Sequence, residues 1–267
     1  MRTDKSTKSS LGQSIFVGLV LAGCLYAFVQ WYFFGQWQLD RARQYAALRE
    51  SADFLESEIG NASYFKDRSE LLKYAVKSVD PKNSGLFCEF GVYKGETINL
   101  ISSLTDRKVH GFDSFEGLPE DWRAGFGKGA FKMDGLPPVR GNVVLYKGWF
   151  DNTIGPFREK ETAPLAFIHL DADLYSSTKT VLEMMADRIV PGTIMQYDEF
   201  LNYPGWKFGE AKAHREFVEK NKVEVEYLGY SDEQLAMRVV SIRGERWNPP
   251  TDKKPAVAAP DQRAAAR

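Results

Sequence analysis

The pattern of hydrophobic and polar positions changes three times along the chain. From Ile15 to Phe34 (IFVGLVLAGCLYAFVQWYFF) nearly every position is apolar, and Gln30 is the one strongly polar member. A run of this length crosses one bilayer as a helix. Its end is aromatic, at Trp31, Tyr32, Phe33, Phe34 and then Trp37, like the belt at a membrane interface. From Gln38 to Glu58 (Leu39, Tyr45, Leu48, Phe54, Leu55) and from Asp67 to Val79 (Leu71, Leu72, Ala75, Val76), apolar residues recur at helical spacing. Two amphipathic helices are predicted there, with stripes that serve packing.

From Leu86 onward, short apolar runs alternate with helical patterns. Strands are predicted at Leu86 to Phe90, Val109 to Phe112, Val143 to Tyr146, Leu165 to Leu170 and Thr193 to Tyr197. Helices are predicted at Glu96 to Leu104, from about Ser177 to Arg188, and from about Gly209 to Glu219, before two closing strands at Val223 to Leu228 and Leu235 to Val240. This alternation implies an α/β fold: a mostly parallel seven-stranded sheet with helices on both faces, preceded by a transmembrane helix. The expected organisation is a tail over 1–14, an anchor over 15–34, a helical stalk and N-terminal helices over 35–80, the α/β domain over 81–245 and a second tail over 246–267. Pro249 to Arg267 has almost nothing to bury and is expected to be disordered.

Charge narrows the partners. Against 36 acidic residues stand 35 Lys and Arg, a formal net charge of -1, which provides no large basic surface to neutralise a phosphate backbone, so nucleic acid is not an expected partner. The two cysteines, Cys24 and Cys88, each sit in an apolar stretch, which argues against a disulfide scaffold or a thiolate zinc site. Leu21-Ala22-Gly23-Cys24 has the form of a lipobox, but the run stays apolar past Cys24, and a cleaved secretory signal has a shorter apolar centre. An anchor is the favoured reading. Arg2, Lys5 and Lys8 precede the span while Arg41, Arg43 and Arg49 follow it, so flanking charge does not orient it. Asn61-Ala62-Ser63 is a glycosylation sequon that matters only if this segment is lumenal.

In sheets of this kind ligands bind beyond the carboxyl ends of the strands. After the first strand stands Glu89-Phe90-Gly91-Val92-Tyr93-Lys94-Gly95, whose glycines permit a tight turn and close approach of a ligand to the next helix's amides. After the second comes Asp113, near the spacing at which an acid accepts hydrogen bonds from a ribose diol. Asp171 follows the fourth strand, and Asp198 with Glu199 the fifth. The turn lacks the dinucleotide G-x-G-x-x-G pattern, and no P-loop is present, which disfavours nicotinamide and nucleoside triphosphates.

GLFCEFGVYKGET, VHGFDSFEGLPE, KGWFDNT, FIHLDADLYSST and MQYDEF together resemble the macrocin O-methyltransferase family of class I S-adenosylmethionine (SAM) enzymes, over about Leu71 to Val240. The resemblance implies a Rossmann-like SAM-dependent methyltransferase domain. It assigns Glu89, Gly91 and Gly95 to the methionine and ribose region of SAM, and Asp113 with Ser114 to the ribose hydroxyls and adenosine. It puts Asp171, Asp198 and Glu199 where family members bind a divalent metal, although two aspartates are commoner at the last pair. An oxygen-only set favours Mg²⁺ over zinc. Asp171 is also the candidate general base.

Asp173 is read either as a further ligand or as a helix cap, His169 as pointing either toward the site or, the favoured reading, into the core, and His214 as solvated surface. Phe115 to Arg140, glycine-rich at Gly125, Gly127, Gly129 and Gly135 among aromatic and basic residues, is expected to be a lid. Tyr203-Pro204-Gly205-Trp206 is either an aromatic wall for a sugar or a turn packed on its own domain. The expected activity is membrane-anchored, metal-dependent O-methylation of a hydroxyl-bearing small molecule or glycan, with the sugar implied by the resemblance alone. A phenolic or catechol-type acceptor and a non-catalytic SAM-binding membrane protein are the alternatives, and self-association is left open. Because SAM is made in the cytosol, the catalytic domain is expected on the cytoplasmic face, with a Golgi lumenal or periplasmic position as the alternative.

Overall fold

The computed structural model describes residues 5–34 and 38–246. The chain divides into two compact units, Met1–Ala46 and Ala47–Arg267, so the helices after residue 47 fall in the same unit as the α/β domain. The tail expected from Pro249 lies outside the described residues.

The first unit contains α1 (Lys5–Phe34) and most of α2 (Gln38–Phe54). Helix α1 therefore begins within the stretch read as a tail. Its segment Ser14–Phe33 is long and apolar enough to cross a membrane, with mean hydropathy 1.8, and none of it is buried. Large apolar side chains such as Phe16, Leu19 and Trp31 are exposed on it. On α2, Leu39, Tyr45 and Leu48 are also exposed, so that stripe does not pack as expected. The buried positions are Ala47 and Ser51, and Phe54 and Leu55 pack against the core of the second unit.

The second unit continues through a π-helical turn at Leu55–Ile59, then β1 (Ser63–Tyr64), α3 (Arg68–Lys77), β2 (Leu86–Phe90), α4 (Glu96–Ser103), β3 (Val109–Asp113), β4 (Val143–Lys147) and α5 (Phe150–Lys160). It ends with β5 (Leu165–Leu170), α6 (Tyr175–Met184), β6 (Ile194–Tyr197), a 3₁₀ turn at Trp206–Phe208, α7 (Glu210–Asn221), β7 (Glu224–Tyr230), β8 (Leu235–Ile242) and β9 (Glu245–Arg246). The sheet order is β1-β7-β8-β6-β5-β2-β3-β4, with β9 on β8. Strands β2 to β8 are the seven expected; the two-residue β1 and β9 are additions, β1 pairing in parallel with β7. All pairings from β4 to β6 are parallel, and β8 runs antiparallel to both β6 and β7.

Alternation along the strands sends side chains to two cores. Phe87, Phe167 and Ile194 meet Leu71, Leu72, Ala75 and Val76 of α3 and Ile98 and Ile101 of α4 on one face. Cys88, Phe90, Ile168, Leu170 and Met195 meet Ile154 and Phe157 of α5, Val181 and Leu182 of α6 and Phe217 of α7 on the other. Leu71, Ile98 and Ile101 are wholly buried, and removing each from water stabilises the fold by roughly 1.5–3 kcal/mol. Asp67 caps α3, its carboxylate accepting from the Ser69 amide at 2.7 Å, which fixes where Arg68 emerges. The chain order reverses between β2 and β5, and the cleft at their carboxyl ends is where such sheets bind ligands.

Candidate active site

The turn after β2 is held by close backbone contact. Gly91 adopts φ +94°, and a Cβ there would stand 1.7 Å from the carbonyl oxygen of Asp171. Its amide donates to Phe112 O, and that of Asp171 donates to Phe90 O, both at 2.9 Å. Only glycine lets the ends of β2 and β5 lie so near each other. Gly95, at φ +82°, is the N-cap of α4.

Asp113, at the end of β3, secures the same turn. Its Oδ2 accepts from the amides of Val92 and Tyr93, each at 2.8 Å, and its Oδ1 from the amide of Phe115 at 2.7 Å. The carboxylate therefore organises the glycine turn and the start of the following loop. Ser114 Oγ accepts from the Glu116 amide at 3.0 Å.

A cavity of about 370 Å³ opens over these strand ends, within the roughly 300–1,000 Å³ range of small-molecule and cofactor sites. Gly91, Asp113, Ser114, Asp171, Asp198 and Glu199 all line it. Gly95 and Glu89 do not. Glu89 is fully buried on β2, where its Oε1 lies 2.8 Å from His169 Nδ1 on the paired position of β5. Gln196 occupies the next paired position on β6, so Glu89, His169 and Gln196 form a buried polar row across three strands.

Asp171 and Asp198 stand two residues beyond His169 and Gln196, on the same faces of β5 and β6. Two overlapping groups have ligand atoms within 4.8 Å of one another: His169, Asp171 and Asp198, and Asp171, Asp173 and Glu199. The expected set of Asp171, Asp198 and Glu199 is thus distributed over both, with Asp171 shared. Asp173 does not cap α6, whose N-cap is Leu174 with no side-chain cap bond; it adopts φ +60° and joins the acid cluster.

The electrostatics reflect acids packed together out of water. Burial, then the charge of Asp198, holds the Asp171 and Glu199 carboxyls well above the usual range. Burial and the neighbouring Glu210 carboxylate push Asp173 up to about 8. Asp198 goes the other way: burial would raise it, but His169 and Arg68 outweigh burial and lower it. Arg68 Nη1 lies 3.3 Å from Asp198 Oδ2. Burial alone would depress His169, yet Asp198 and Glu89 raise it to about 10, with its Nε2 3.8 Å from Asp198 Oδ1. The Oε2 of Glu199 is buried and lacks a hydrogen-bond partner. Converging carboxyls and a buried oxygen without a partner fit a hard divalent cation, which would hold them all ionised.

The expected lid contributes Leu118, Trp122, Arg123, Phe126 and Phe131 to the cavity lining. Arg123 is its fastener: its Nη1 meets Glu233 Oε2 at 3.0 Å while its guanidinium lies over the rings of Trp122 at 4.0 Å and Tyr203 at 4.9 Å. Tyr203 and Trp206 are buried and do not line the cavity, so that turn packs on its own domain and the aromatic wall belongs to the lid and Trp149. His214 is likewise buried, with Nδ1 2.9 Å from the Tyr197 hydroxyl, contrary to the surface reading. Arg68 and Trp122 were not singled out in the sequence, and Trp149 only as part of a motif. Trp149 lies within KGWFDNT and was signalled there, whereas Arg68 reaches the site only through packing of α3 against the sheet.

The strand order and strand-end cleft define the fold of class I SAM-dependent methyltransferases. The crystal structure of the calicheamicin methyltransferase CalS11 matches it, with TM-score 0.51 and 24% identity over 64% of this chain and 76% of that one. Residues 128–229 match the model of the macrocin-O-methyltransferase (TylF) family. A relative from Streptomyces olivaceus, an 8-demethyl-8-(2,3-dimethoxy-α-L-rhamnosyl)-tetracenomycin-C 4′-O-methyltransferase, is 30% identical over 160 residues, covering 50% of this chain. The match spans 60% of that relative's length.

Proposed function

We propose that this chain is an O-methyltransferase that moves a methyl group from SAM to a sugar hydroxyl of a glycan, glycolipid or glycosylated metabolite, using a divalent cation, Mg²⁺, while α1 anchors it in a membrane. The observation that carries the reading is that the acid cluster of Asp171, Asp173, Asp198 and Glu199 opens onto the same cavity as the Gly91 turn and Asp113. The sugar acceptor draws on the relative that methylates a rhamnosyl group. The anchor draws on the exposed apolar surface of Ser14–Phe33.

When bound, SAM supplies an electrophilic methyl group and the cation lowers the pKa of the acceptor hydroxyl. The chain's own residues do the rest. Gly91 leaves the cavity floor free of side-chain bulk, and Asp113 holds the turn amides while its Oδ1, accepting one amide, keeps a lone pair for a ribose hydroxyl. Asp171, Asp198 and Glu199 would hold the cation beside the acceptor hydroxyl. Asp171, which the cation would hold ionised, is the carboxylate assigned to take the hydroxyl proton. Trp122, Phe126 and Trp149 exclude water and offer flat faces to a sugar. The domain faces the cytosol, where SAM is made.

Extract from a strain lacking the protein tests the activity. Purified full-length protein with SAM and Mg²⁺ should add a methyl group to a glycan or lipid of that extract, seen by mass spectrometry, with S-adenosylhomocysteine released in equal amount. SAM binding without any S-adenosylhomocysteine would favour a non-catalytic binding protein instead. Protease added to sealed right-side-out cells should spare the domain, and its digestion there would overturn the cytosolic orientation.

A further inference from the structure

Beneath the acid cluster lies a carboxylate that the proposed chemistry does not use. Glu210 begins α7 and is completely buried. Its Oε1 accepts from the amide of Ala172 at 3.3 Å and from Thr178 Oγ1 at 3.0 Å, and its Oε2 accepts from the amide of Glu199 at 3.1 Å. Among the described residues no lysine or arginine forms an ion pair with it. Burying a carboxylate beside four other acids is costly in itself, so its presence calls for a structural return.

That return is visible in which amides it takes. Ala172 lies between Asp171 and Asp173, and Glu199 directly follows Asp198. Register pairing of β5 with β6 ends at Leu170 and Tyr197, immediately before these acids. The amide of Asp198 still donates to Leu170 O at 2.8 Å, and beyond that bond the carboxylate of Glu210 spans the two strand ends. The loop after β5 also needs holding, because Asp173 adopts φ +60°, a conformation that a non-glycine residue keeps only when its surroundings impose it.

We infer that Glu210 is a positioning residue that bridges the two acid-bearing loops and sets the spacing at which Asp171 and Asp173 face Asp198 and Glu199. The inference rests on the metal-dependent reading above, since the spacing matters to the cation that the acids hold together. Glu210 does not touch the cavity; it acts through the two backbone amides.

Glu210→Gln tests this, because an amide side chain presents one acceptor oxygen and an NH₂ group that cannot accept from the amide left facing it. Mg²⁺ alone is titrated into full-length wild type and variant without acceptor, with melting temperature as the readout and SAM affinity measured by calorimetry. The Mg²⁺ concentration at half effect should rise at least tenfold, with SAM affinity within twofold of wild type. A merely structural role would lower the melting temperature without moving that Mg²⁺ midpoint, and this result would overturn the inference. If Glu210→Gln does not fold, Thr178→Val removes one donor at nearly constant volume and should move the midpoint about threefold; an unchanged midpoint there overturns it equally. A wild type that ignores Mg²⁺ would instead refute the metal reading itself, and with it the purpose of the clamp.

Discussion

Gly91→Ala is the most direct test of how the fold builds the site. The added Cβ would lie 1.7 Å from Asp171 O, and the backbones must part by about 1.3 Å to reach even the 3.0 Å that real Cβ contacts essentially never undercut. The movement strains two ladder bonds, Gly91 N to Phe112 O and Asp171 N to Phe90 O. Each bond contributes about 0.5–1.5 kcal/mol, and positive φ costs a residue with a Cβ about 1–2 kcal/mol, so stability should fall by about 2–5 kcal/mol. Denaturant unfolding of the variant measures this. Displacement of a group at the site by about 1 Å is enough to lower turnover roughly 100-fold, so a folded variant should turn over far less than it loses in SAM affinity. Wild-type stability together with wild-type turnover in Gly91→Ala would refute the close approach of β2 and β5 and the site built on it.

Other substitutions probe separate parts. Asp113→Ala leaves three amides without their acceptor, so unfolding free energy should drop by about 2–4 kcal/mol together with SAM affinity; lost affinity at unchanged stability would show that the carboxylate serves the ligand alone. Asp171→Asn and Asp198→Asn should each abolish most turnover while calorimetry finds SAM binding nearly intact, and EDTA should do the same to wild type; full turnover in EDTA after exhaustive dialysis would remove the metal from the mechanism. Burial, assisted by Arg215, depresses His214 to about 3, so the fold holds it neutral while the unfolded chain takes up a proton below about 6.5. Its stabilising contribution is complete above that pH and is lost on acidification by about 1.4 kcal/mol per unit. Unfolding of wild type minus that of His214→Phe should therefore slope downward to about 2 kcal/mol by pH 5, and a flat difference would contradict a buried neutral imidazole.

The strand and helix alternation, the apolar run of α1 and the acids at three strand ends were legible in the sequence because each depends on local periodicity or on position relative to a single strand. Helix α5 escaped that reading, since Gly155-Pro156 falls inside it and resembles a break, although Pro156 is accommodated there. The two-residue β1 exists only as a partner for β7, so no local pattern announces it. Burial of His214 was equally illegible, because the charges on α7 mask the face that turns toward Tyr197. Tertiary structure alone decided that the carboxylate of Asp113 binds backbone, that Glu89 lies beneath the cavity with His169, and that Asp173 joins the acids. It also brought Arg68 to Asp198 across 130 positions and Glu210 to Ala172 across 38. Sequence periodicity specifies which face of an element is apolar, whereas such contacts depend on how separate elements pack around the β2–β5 junction, and that is a property of the whole sheet.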